Sequence, residues 1–401
     1  MIAFREEDIK YIAVELPDEI KYFKYSGDFE GEEKAVLSLL EGELPTALKR
    51  RLELELEICR EMQRDYYTDF DTLLEKIKEK YPACTAENLE YIIAAGNADY
   101  IRKNGVRYFQ RSARSNILEC QEAYLKSLPD GICDNAFRNP LRHENLEIMK
   151  KHGYRKARWR IREWLTIAEH AQREGKKIRV HLPYPAECDE QSDITLHYSS
   201  HPLYFSDADQ RTVFIETEYK KDEKFEIEFS YTITVPYYDL DPAKVSPEQP
   251  SFCTNEELPQ IRLTPAIRAV AQELKGDETN PLILARKAYG YVTTNMSYSY
   301  MREYLCIENI PEFALFNKRG DCGVMALLFI SLCRAMGEED SVIVLLSQHI
   351  LMEQGFHSPE SVPQWELIQG ESFKILHEFA AKDRIQSNRR KLRQRTAFCF
   401  R

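Results

Sequence analysis

The sequence has no Cys-x-x-Cys pair, no Gly-rich phosphate loop, no dinucleotide fingerprint and no apolar run long enough for a membrane span. Ten cysteines are scattered through 401 residues without the spacing of a zinc ribbon or a dense disulfide framework, so they read as free thiols of a reducing compartment. The longest apolar stretch, Val324 to Cys333, is interrupted by Ser331 and falls short of the roughly 20 residues a spanning helix needs. An excess of positive charge is also missing. A formal net charge of −11 gives no overall electrostatic reason to bind nucleic acid. The start Met-Ile-Ala-Phe-Arg-Glu-Glu-Asp lacks the apolar core of a secretion signal. These absences lead us to expect a cytoplasmic protein with neither nucleic-acid nor membrane partners.

With 43% apolar residues, 11% of the chain aromatic, it has enough material for two or three packed domains. Residues 1–172 read as a helical N-terminal region. Apolar residues recur at helical spacing in LSLLEGELPTALKRRLELELEICREM, FDTLLEKIKEKY and NLEYIIAAGNADYIRKN. A further helix is expected over 154–174, where Tyr154, Ala157, Ile161, Trp164, Leu165 and Ala168 form a stripe among Arg and Lys. Those basic residues read as a solvated face. The period then changes to two in Ile178-Val180-Leu182 and in Phe225 to Val235, which predicts a small antiparallel β-domain over 173–240. Prolines mark a linker, and Asn280-Pro281 marks a helix start in a third domain over 260–380. His197 and His201 share an i, i+4 spacing but sit beside strand patterns without a third ligand, so no metal site is expected.

The chemistry lies in RGDCGVMALLFISLCRAMG, residues 319–337. A Gly320-Asp321 turn leads into a buried helix closed by Gly337, which puts Cys322 at the helix N-terminus. Unsatisfied N–H groups and the helix dipole there favour a thiolate, predicting a pKa below the free value of about 8.5. They could also hold the oxyanion of an acyl-transfer intermediate. Gly323 is expected to leave room for substrate. The plain alternative for Cys322 is a small buried hydrophobe, the reading taken for Cys333 deeper in the helix.

At this point the sequence resembles the transglutaminase-like superfamily, which has the Cys-His-Asp logic of papain-like proteases. NPLILARKAYGYVTTNMSYSYM and FNKRGDCGVMALLFISLCRAMG look like that family's helix, extended strand and nucleophile helix. The preceding HLPYPAECDEQSD and QRTVFIE are similar to the β-domain of bacterial members. The resemblance implies an α+β fold in which a helical region and a β-domain precede a papain-like core. It further implies Cys322 as the nucleophile forming a thioester with a protein or peptide amide, and no cofactor. Nothing in the sequence resembles the calcium sites of some animal relatives.

After Gly337 the family's His-x-Trp motif and following Asp are not recognisable. By its separation from Cys322, His357 is the family's expected general base, with His349 and His377 as second and third choices. Glu366 or Glu371 could replace the missing Asp, since Asp383 is the first Asp after His357. Residues 381–401 are a basic tail, with a further Arg or Lys at most positions from 389 to 395. Three accounts of the stretch after Gly337 stay open: a divergent core, a truncated one, or an altered reading frame. The competing functional expectation is a non-catalytic binding or scaffold protein without a complete triad. Oligomeric state is not legible.

Overall fold

The computed structural model describes residues 6–96, 98–120, 138–188, 190–206, 212–238, 240–245 and 255–337. These fall into two compact units, one built from the chain up to 120 together with 240–337, the other from 138–238.

The first unit opens with α1 (Asp18–Ser26), α2 (Phe29–Leu40) and α3 (Thr46–Asp65). Their boundaries follow local chemistry. Gly27 ends α1 with φ 76°, and a Cβ there would run into the backbone carbonyl of Arg102. Asp28 then caps α2 by accepting from Gly31 N–H at 2.9 Å. Ile20, Val36, Leu52 and Leu56 close the space between the three helices. Two further helices, α4 (Phe70–Lys78) and α5 (Ala86–Ala94), start at Asp69 and at a Thr85/Asn88 capping box, and α6 (Ala113–Cys120) follows.

Between these helices lies a small antiparallel sheet of β1 (Tyr66–Thr68), β2 (Tyr100–Lys103) and β3 (Val106–Gln110), in the order β1-β3-β2. The expectation of helix alone in this stretch is therefore corrected. The strands have three to five residues, and no alternation that short stands out from helical periodicity.

The second unit packs α7 (Arg138–His152) with two three-stranded antiparallel sheets. One has β4 (Tyr154–Thr166), β9 (Lys224–Pro236) and β6 (Gln191–Ser199) in the order β4-β9-β6. The other has β5 (Lys177–Pro183), β8 (Thr212–Glu218) and β7 (Tyr204–Phe205) in the order β5-β8-β7. Val180, Leu182, Val213, Ile215, Phe225 and Ile227 belong to their shared core.

The helix expected over 154–174 is a strand through Thr166. Tyr154 to Thr166 pair residue by residue with Pro236 to Lys224. Its inward set is Ala157, Trp159, Ile161 and Leu165, while Lys156, Arg158, Arg160 and Arg162 project outward, a period of two. The outward arginines are partnered across the strands. Arg158 donates to Ser230 Oγ at 2.9 Å, Arg160 to Glu228 at 2.6 Å, and Arg162 pairs with Glu226. They shield the second face of the central strand β9, which leaves Glu226, Ser230 and Thr232 buried as well. His197 meets Ser230 Oγ at 2.7 Å across the sheet and His201 meets Glu223 at 2.9 Å just beyond the strand ends, so each already has a partner within this unit.

The rest of the first unit is a helical layer of α8 (Pro265–Lys275), α9 (Pro281–Asn295), α10 (Ile310–Asn317) and α11 (Cys322–Gly337). Asn280 caps α9 as expected, accepting from the Leu282 and Ile283 N–H groups. Ile267, Ala285, Ala288, Val292, Leu328 and Leu332 lie in one core. Polar joints tie this layer to the N-terminal helices of the same unit. Arg302 grips Asp99 with two guanidinium nitrogens at 2.9–3.1 Å, and Tyr66 donates to the same carboxylate at 2.6 Å. Asn116 accepts from Tyr300 N–H at 2.8 Å and donates to Ser299 Oγ at 2.9 Å.

Candidate active site at Cys322

The turn that presents Cys322 is held from two sides. After α9 the chain forms β10 (Ser297–Tyr298), which pairs in parallel with β11 (Arg319–Gly320) just before the cysteine. Ser297 N–H donates to Lys318 O at 2.9 Å and Ser299 N–H to Gly320 O at 3.0 Å. The expected Gly320-Asp321 turn is thus a strand end, then a cap. Lys318 takes the left-handed conformation at φ 52° that lets the chain leave α10 and enter β11. Asp321 accepts from Val324 N–H at 3.0 Å through its carboxylate, while its own carbonyl accepts from Met325 N–H at 3.0 Å.

From Val324 onward α11 is almost continuously buried, which fixes the direction in which its first turn faces. Cys322 is half-buried there, and the backbone N–H groups of Cys322 and Gly323 favour its charged form. These are the orphan donors of a helix start, a disposition suited to negative charge on sulfur or on a substrate oxygen beside it. Cys333 is fully enclosed, and burial drives its thiol well above the ordinary range.

Two features of the site escaped the sequence reading. Tyr304 donates to the Asp321 carboxylate at 2.5 Å, so the residue capping the helix is itself anchored. Burial and that carboxylate push the Tyr304 phenol upward, which keeps it a neutral donor. Gly323, expected to make room for substrate, instead makes room for Tyr304. A Cβ on Gly323 would lie 3.0 Å from the ring carbon Cζ and closer still to the hydroxyl. A Cβ on Gly320 would come within 2.7 Å of Val324 Cβ, so both flanking glycines are packing requirements.

The expected depression of the Cys322 pKa is also corrected. Burial, and then the Asp321 carboxylate next to it, push the thiol upward against the pull of the two N–H groups. A helix start therefore does not by itself favour a thiolate here. The histidines among the described residues, such as His181, His197 and His201, all belong to the 138–238 unit. His349, His357 and His377, with Glu366, Glu371, Asp383 and the basic tail, lie outside the described residues. No group of three His, Cys, Asp or Glu side chains suited to a metal occurs among the described residues.

Residues 268–343 match the family model of the transglutaminase-like superfamily, a span running from α8 through α11 and slightly beyond it. The chain carries a transglutaminase-like core. That match contains both the buried helix and the cysteine at its start. Together with the helices and small antiparallel sheets it gives an α+β protein. No curated protein matches the chain significantly. A solved structure from Cytophaga hutchinsonii, provisionally assigned as a cysteine protease, aligns with a TM-score of 0.29 at 12% identity over 46% of this chain. This chain spans 63% of that structure's length. At that score the overall likeness is slight, and the family match carries the assignment. No helix among the described residues is long and apolar enough to cross a membrane.

Proposed function

We propose that the transglutaminase-like core performs cysteine-dependent acyl transfer on protein or peptide amides in a reducing, cytoplasmic setting. The observation that carries this is the position of Cys322, half-buried at the first residue of a buried helix, where the free backbone N–H groups of a helix start favour negative charge. In this reading a base takes the thiol proton and the sulfur attacks the amide carbonyl carbon. The negative charge moves to the carbonyl oxygen, within reach of the N–H donors. The C–N bond then breaks, the nitrogen leaves as an amine with the proton held by the base, and a thioester remains. Water turns the thioester into an acid, or an amine turns it into a new amide, and the thiol is regenerated. No bound cofactor enters these steps. His357 is the base in this reading, with His349 and His377 as alternatives and Glu366 or Glu371 as the group that orients it.

The raised thiol favours a second reading, a binding or scaffold protein that keeps the transglutaminase-like core without its chemistry. An amine-incorporation and amide-hydrolysis assay on a casein substrate separates the two. Activity that disappears in Cys322→Ala supports acyl transfer, and wild-type chain no more active than Cys322→Ala supports the scaffold. Among active chains, a His357→Ala variant retaining full activity moves the base to His349 or His377.

A further inference from the structure

Away from Cys322, α1, α2 and α3 meet the segment 302–316 around a cavity of about 310 Å³. Phe29, Ile58, Met62, Ile307 and Phe313 give it apolar walls, and Tyr25 and Phe316 stand exposed at its edge, with 70% and 68% of their surface accessible. Glu32 on α2 lines this cavity while only 1% exposed. Neither of its carboxyl oxygens accepts a hydrogen bond from a donor among the described residues, and the polar groups adjoining it are the Glu55 carboxyl and the Cys59 thiol. A buried carboxyl in that state is exceptional, because desolvation is normally offset by donors or a counter-charge.

The nearby cations are already committed. Lys24 of α1 pairs with Glu55 at 2.6 Å and with Glu308 at 3.0 Å. Arg51 of α3 pairs with the same two carboxylates, and Arg302 is spent on Asp99. Glu312 accepts from Thr264 and Asn309 at 3.0 Å each. Glu312 is thus held by neutral donors, whereas Glu32 has no ion pair among the described residues and neither of its oxygens accepts a hydrogen bond there. Burial, and then the adjoining Glu55 carboxyl, push Glu32 up to about 9, so it keeps its proton at neutral pH and can donate it toward Glu55. The Cys59 and Cys306 thiols and the Tyr25 phenol, also at the cavity, are pushed upward by burial and stay neutral over the same range.

We propose that this cavity is a binding site for a primary ammonium group on an apolar stem, whose charge pairs with Glu32 while the stem lies against the Phe29, Ile58, Met62 and Phe313 walls. A metal ion fits less well, since the described residues hold no cluster of metal-binding side chains. The proposal does not rest on acyl transfer at Cys322. Binding replaces the Glu32 proton with the ligand's charge, so each ammonium bound releases one proton to solvent.

Isothermal titration of the full chain with n-pentylamine, in two buffers of different ionisation enthalpy, tests this directly. We expect release of about one proton per amine at pH 7 and affinity rising roughly tenfold per pH unit between 6.5 and 8.5. Glu32→Gln keeps the shape of the neutral acid, and it should lose the proton release and weaken binding roughly tenfold or more. A lysine residue blocked at both termini, run as a second arm, distinguishes a protein side chain from a free amine as the natural source. Absence of binding by both probes overturns the proposal. So does binding without proton release, or equally tight binding of the neutral isostere pentanamide. The wild-type proton count decides the matter even where Glu32→Gln fails to fold.

Discussion

Helix α11 carries two cysteines in opposite circumstances. Cys322 sits half-buried at the N-terminus, where backbone N–H groups favour its charged form, and Cys333 lies enclosed in the core, where burial alone acts on the thiol. Burial raises both thiols, far more at Cys333. Position at a helix start is therefore only part of what a nucleophile needs. Exposure and oriented donors set Cys322 apart, and the Asp321 carboxylate that caps the helix works against its ionisation.

Substitution of each cysteine should separate these roles most sharply. Cys322→Ala is expected to bring acyl transfer to background, roughly a thousandfold or greater loss, with little change in melting temperature. Cys333→Ser should keep activity within a few-fold but destabilise the fold by about 1–3 kcal/mol, because a hydroxyl is buried there without a partner. Parallel assays and thermal melts check both, and activity surviving in Cys322→Ala would erase the distinction.

A smaller effect is expected from Gly323→Ala, whose added methyl must displace Tyr304 and loosen the anchor on Asp321. A destabilisation of about 1–3 kcal/mol is the overpacking range, and it should shrink when Tyr304→Phe removes the hydroxyl in the same chain. Denaturant melts of the two single variants and the double variant test that coupling.

Asp321→Asn should keep the cap, since the amide oxygen still accepts from Val324 N–H, while removing the charge that raises the Cys322 thiol. Iodoacetamide should then label Cys322 several-fold faster at pH 7, and an unchanged rate would show that the carboxylate is not felt at sulfur. The same burial cost appears more mildly at Glu163 on β4, where desolvation raises the carboxyl from 4.5 to about 7. The folded state binds the proton more tightly than the unfolded one, so this group's stabilisation is present below about 4.5 and fades as pH rises through about 7. Glu163→Gln should therefore gain about 1–2 kcal/mol over the wild type at pH 8 and little at pH 4.5, read from thermal melts at both values.

What could be read from the sequence follows the length and cleanness of each signal. The buried helix after Cys322 was legible, because an apolar run framed by Asp321 and Gly337 has few other readings. The helical layers of the N-terminal region and the long alternation of β9 were legible for the same reason. Strand β4 was mistaken for a helix because Ala157, Ile161, Trp164 and Leu165 fall at helical spacing. The competing alternation lay in its charged residues Lys156, Arg158, Arg160 and Arg162, of which the three arginines bond to β9. Tyr304 left no local sign, since its partner Asp321 is 17 residues away and only the short pairing of β10 with β11 brings the segments together. The thiol's upward shift was missed because the helix dipole can be inferred from sequence, whereas the burial that outweighs it cannot.

The central claim is that Cys322 accepts the acyl group, and a limiting acyl donor tests it most directly. The full chain is treated with less than one equivalent of p-nitrophenyl acetate at pH 7, and the acylated peptide is identified by mass spectrometry. Exposed Cys188 serves as the internal reference thiol. The account predicts that the acetyl group is found on Cys322 ahead of Cys188 and is removed by hydroxylamine as a thioester. Acylation of Cys188 in preference to Cys322 would contradict it.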